Sequence, residues 1–142
     1  PAHHHPTRHP PHEPTSKDKE LLIPINVGDH RSRTCVLTYT NGRIELKHDH
    51  RHEDGTSDKV TMYGGTMNNS GLPGLAVFPA DEETATIIPA AANNLWWITL
   101  DEKYFTYNLR RIGTERFFSV SFDLANEIET PEASWGWENY KK

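Results

Sequence analysis

His48, His50 and His52 recur at every second position, the spacing at which side chains of a β-strand project from one face, about 7 Å apart. Neutral imidazoles so arranged can share a divalent ion, which makes the three a candidate site for zinc or copper, with Glu53 a further ligand beside His48 and His50. A strand end running into solvent explains the same residues without a metal. Five more histidines, His3, His4, His5, His9 and His12, lie in a Pro-rich stretch and could wrap an ion with little selectivity. The single cysteine, Cys35, is set opposite His48 by the hairpin register derived below, the one nucleophile-and-base pair the sequence offers. A buried thiol is the simpler account of it. Glu82, Glu83, Asp101 and Glu102 fall in turns, where solvation accounts for them, and there is no Gly-x-Ser-x-Gly elbow, phosphate loop or zinc-protease helix. Without a complete catalytic set, the chain is expected not to be an enzyme.

The elements that must hold these residues read as strands. Arg33 to Thr40 and Arg43 to His48 flank Asn41-Gly42, a dipeptide that favours the positive φ angles of a two-residue hairpin turn. Counting outwards pairs Tyr39 with Ile44, Leu37 with Leu46 and Cys35 with His48 on one face. An earlier strand runs from Glu20 to Val27, with Pro24 confining it to an edge or a strand entry. Further strands are expected over residues 59–63, 75–78, 84–88, 95–100, 103–109 and 115–122, with a Gly- and Asn-rich loop over 64–71. In the last three strands the sets Trp96/Ile98/Leu100, Phe105/Tyr107/Leu109 and Phe118/Val120/Phe122 alternate with more polar neighbours and should form the buried face. No window of helical length carries a 3.6-residue apolar stripe. The expected fold is all-β, an antiparallel sandwich or barrel of about eight to nine short strands.

A length of 142 residues fits one domain, and a net charge of −5, from 15 Lys and Arg against 20 Asp and Glu, disfavours nucleic acid as a partner. Residues 1–19 are rich in Pro and His and lack apolar periodicity, so they read as a disordered arm. The sandwich domain is expected over 20–123, followed by an acidic tail over 124–142 whose Trp135 and Trp137 must dock or stand in water. No apolar run approaches the ~20 residues of a transmembrane helix. One cysteine permits no internal disulfide. Asn68-Asn69-Ser70 fits the acceptor pattern for N-glycosylation.

Two resemblances bear on function. Gly42, then His48-Asp49-His50 after five intervening residues, resembles the first motif of the cupin family, whose strand histidines bind a transition metal in a small barrel. Glu53 comes one or two residues early for that motif, and with no histidine after His52 the family's downstream ligand is missing. Over a longer stretch, Lys59-Val-Thr-Met-Tyr-Gly-Gly65, Ser70-Gly-Leu-Pro-Gly-Leu-Ala-Val-Phe78, Thr84-Ala-Thr-Ile-Ile-Pro89 and Asn94-Leu-Trp-Trp97 are similar to the actinoporin-like β-sandwich family of pore formers and fungal lectins. That resemblance implies a sandwich that binds ligands at one end, with Pro89, Trp97, Tyr104 and Tyr107 near the corresponding region. The arm has no apolar helical face for bilayer insertion, and Ala90-Ala91-Ala92-Asn93 stands where the family carries its aromatic headgroup loop.

The leading expectation is a non-enzymatic recognition module that binds a glycan, a lipid headgroup or a protein through loops at one end. One alternative is a cupin-like protein that holds zinc or copper on His48, His50 and His52. The other is a coat or capsid subunit, a homo-oligomer whose arm and tail reach neighbouring copies. A secreted, virion or cell-surface location is favoured over a cytoplasmic one.

Overall fold

A computed structural model describes residues 3–4, 19–27, 29–68, 72–125 and 133–138. Most of the arm, including His5, His9 and His12, lies outside the described residues, as do Asn69 and Ser70 of the glycosylation triplet. The Asn41-Gly42 turn forms as expected, with φ of 53° and 81°, between strands β3 (His30–Thr40) and β4 (Arg43–His50). Their register contains all three expected pairs, Tyr39 with Ile44, Leu37 with Leu46 and Cys35 with His48. Strand β2 (Lys19–Val27) pairs with β3 on its other side, and the two-residue β1 (His3–His4) pairs with β2. Strand β5 (Tyr63–Thr66) completes this sheet against β4.

The second sheet has the order β6 (Leu75–Pro79), β7 (Asn94–Leu100), β8 (Tyr104–Arg111) and β9 (Phe117–Asp123), again antiparallel throughout. Ile23, Cys35 and Leu46 from the first sheet meet Phe78, Trp96, Ile98, Phe105 and Tyr107 from the second in one core. The molecule is therefore an antiparallel β-sandwich. Among the described residues no helix is long and apolar enough to cross a membrane.

Three expectations change. Residues 84–88 are not a strand; they fall largely in helix α1 (Glu82–Ile87), followed by a 3-10 turn over Pro89–Ala91. Asp81 caps that helix by accepting from the Thr84 amide at 2.8 Å, and Glu82 and Glu83 sit in its first turn, where their charge suits the helix dipole. These local terms outweigh the β-branched side chains that read as a strand.

Residues 59–62 belong to no strand, and the strand expected at 59–63 begins only at Tyr63 and runs into the glycines assigned to a loop. A Cβ at Gly64 would stand 1.9 Å from the Leu46 carbonyl oxygen, and one at Gly65 1.8 Å from that of Pro79. Glycine is what lets β5 approach both neighbours. Here the sheets are sewn together: the Asp81 amide donates to the Gly64 carbonyl at 2.9 Å, and the Asn68 amide to that of Val77 at 3.1 Å. The buried Thr84 hydroxyl donates to the Gly64 carbonyl and accepts from the Gly64 amide. Lys47 adds ion pairs of 2.8 Å to Asp81 and to Glu83.

Of the nine residues expected in the core, Leu100 and Phe118 are each 51% exposed. Leu100 ends its strand, and Phe118 stands on the edge strand β9, where the sandwich is open. The tail does dock. The Trp135 amide donates to the Arg31 carbonyl at 2.8 Å, Ser134 Oγ to the Arg33 carbonyl at 3.0 Å, and Trp137 Nε1 to the Asp49 carboxylate at 2.8 Å. The Arg51 guanidinium lies 4.6 Å from the centre of the Trp137 ring.

Candidate functional site

Strand alternation turns His48 inwards, between the sheets, where it is 3% exposed. Its Nδ1 stands 2.8 Å from the Tyr63 carbonyl oxygen, which can only accept, so Nδ1 carries the proton. Nε2 is then a lone pair, and it accepts the Tyr107 hydroxyl at 2.7 Å across the sandwich. The ring stacks on Tyr63 with centroids 4.7 Å apart and tilts against Trp96 at 5.1 Å. Burial pushes its pKa down to about 4; the Tyr63 carbonyl opposes this, and the Arg33 charge adds to it. At neutral pH the imidazole is uncharged and both nitrogens are engaged.

Burial raises the Tyr107 hydroxyl above its ordinary range and pushes the Cys35 thiol up to about 12. The register does bring Cys35 opposite His48, but the imidazole is taken up by Tyr63 and Tyr107. It cannot serve as base for a thiol that itself resists ionisation. The group is a fixed polar tie between two sheets.

Above this tie a cleft of about 830 Å³ opens between the sheets. Its floor is His48, Tyr63, Trp96 and Tyr107, and its apolar wall includes Ile25, Leu109 and Phe118. Arg33, Arg111 and Arg116 stand around the opening with Glu115, and His50 faces Asp58 at 3.9 Å. Arg33 continues the inward series of Leu37 and Cys35, and Arg111 continues that of Phe105, Tyr107 and Leu109. Arg111 Nε donates to Asn94 Oδ1 at 2.8 Å. Among the described residues none of the three arginines forms an ion pair with a carboxylate.

The expected site residues separate. His48 lies in the floor and His50 on the wall, but β4 ends at His50, so His52 sits exposed in the following turn with its amide donating to the Thr56 carbonyl. Glu53 is exposed in the same turn. Among the described residues no three His, Cys, Asp or Glu side chains group closely enough to hold a metal ion. Of the four expected ligand-binding residues only Tyr107 lines the cleft. Trp97 alternates to the outer face of β7, with its ring 6.3 Å from that of Phe117, while Pro89 and Tyr104 are exposed elsewhere.

Arg33, Arg111 and Arg116 were not singled out by sequence reasoning. A signal existed for two of them, since carrying each strand's alternation one step beyond its apolar residues puts an arginine on the inner face. Comparison with known proteins adds no relative: no family model, curated protein or solved structure matches the chain.

Proposed function

We propose that the chain is a non-enzymatic recognition module whose ligand enters the cleft at the open end of the sandwich. The observation that carries this reading is the inter-sheet cavity of about 830 Å³, floored by Tyr63, Trp96, Tyr107 and a neutral His48. A concave site that sets an aromatic and apolar lining beside charged and polar groups suits a small molecule, or the protruding sugar or headgroup of a larger one. A flat protein surface would not fill it. The His48 ring nitrogens and the Tyr107 hydroxyl are already engaged with one another and with the Tyr63 carbonyl, and these titratable groups are held in their neutral forms, which supports binding over chemistry.

Chemical-shift mapping with a library of small amphipathic fragments tests the reading. Binding should move the Trp96 indole and the Tyr107 and Leu109 backbone resonances while leaving the exposed His52 in place. Fragments that bind only elsewhere, or none binding at millimolar concentration, would overturn it.

A further inference from the structure

We infer that the cleft takes an organic anion, an apolar or aromatic body carrying a carboxylate, sulfate or phosphate that meets Arg33, Arg111 and Arg116. The inference rests on the cleft being the binding site and adds the charge class of its ligand. The chain as a whole is acidic, with 20 Asp and Glu against 15 Lys and Arg. The cleft lining inverts that balance, with three arginines against Asp58 and Glu115. Asp58 is in addition occupied, facing His50 at 3.9 Å and accepting from the Val60 amide at 2.9 Å.

Of the described arginines away from the cleft, three hydrogen-bond within the protein and Arg110 lies 6.0 Å from the centre of the Phe117 ring. Arg31 donates to the Ala133 carbonyl, Arg43 to that of Met67, and Arg51 to the Asp49 carboxylate. Those at the cleft are left without anionic partners among the described residues, although they come from three separate places: β3, the end of β8 and the β8–β9 loop. The Arg111 side chain hydrogen-bonds from Nε to the buried Asn94, which restrains the orientation of its guanidinium. Guanidinium groups so placed offer paired N–H donors to an oxyanion, and a low-dielectric wall beneath them strengthens the attraction. A cationic ligand would meet the same three charges as repulsion.

The test is a matched series sharing one ring system: 2-naphthoate, 2-naphthyl sulfate, 2-naphthyl phosphate and the neutral 2-naphthamide, titrated against the full chain by calorimetry. The anions should bind about tenfold or more tightly than the amide, and their advantage should shrink with added salt. Which anion binds best tells a carboxylate site from a sulfate or phosphate site. Arg33→Gln and Arg116→Gln alter exposed side chains and should leave folding intact; each should weaken the anions several-fold and spare the amide. If the amide binds as tightly as the anions, the cleft reading stands and the anion inference falls. If no member of the series binds at millimolar concentration, both fall.

Discussion

A histidine with both nitrogens engaged inside a core titrates differently from one in water, and His48 makes stability depend on pH. In the unfolded chain it takes up a proton near its ordinary value of 6.5, whereas in the fold burial delays this to about 4. Between those values the unfolded state binds the extra proton, so stability falls as pH drops from about 6.5 to about 4 and levels off below. The loss is on the order of 3 kcal/mol. Urea midpoints measured across that window should trace the decline, and a His48 imidazole resonance titrating near 6.5 in the native protein would contradict it. The carboxylates with lowered pKa, the capping Asp81 among them, lose their contribution only at lower pH. The two effects are thus separable. The sequence placed His48 opposite Cys35 correctly because a hairpin register is local arithmetic. It could not name Tyr107 as the partner, since that residue is 59 positions away and the stacking of one sheet on another leaves no local trace.

Elements were legible where one local preference dominates. Asn41-Gly42 fixes its turn through backbone conformation alone, and the strands around it followed. Helix α1 and strand β5 were misread for a shared reason: each is defined by the other. Thr84 and its β-branched neighbours prefer a strand in isolation, and Gly64-Gly65 a loop, until the Thr84 hydroxyl binds the Gly64 backbone and the missing side chains let β5 press against Pro79. Gly65→Ala should therefore lower stability by on the order of 3 kcal/mol, because its methyl would meet backbone that cannot swing aside. Thermal unfolding checks this. A variant as stable as the parent would show that the strands do not approach so closely. The candidate cleft was legible only in part, since its aromatic floor lies on alternating strands but its arginines sit where apolar patterning ends.

For the molecule as a whole, the two sheets are joined along β5 and β6 and open to a cleft at one end, with the charged residues distributed unevenly between that end and the remaining surface. The C-terminal segment braces the first sheet from outside. Trp137→Ala would remove an indole bond to the buried Asp49 carboxylate and the Arg51 stacking above it, at a cost of about 1–3 kcal/mol. Chemical denaturation should register that cost even though the residue is distant from the core, and no change in midpoint would show that the brace carries no stability. The contacts of this segment join residues 101 and 102 positions apart, Ser134 to Arg33 and Ala133 to Arg31. That separation has a consequence for the order in which the chain is made. At a synthesis rate of about 5–20 residues per second, the β3–β4 hairpin, complete at His50, waits roughly 4–17 s on the ribosome before Ala133 and Ser134 of the segment that braces it are polymerised. Throughout that interval the outer face of the nascent hairpin is uncovered and open to chaperones.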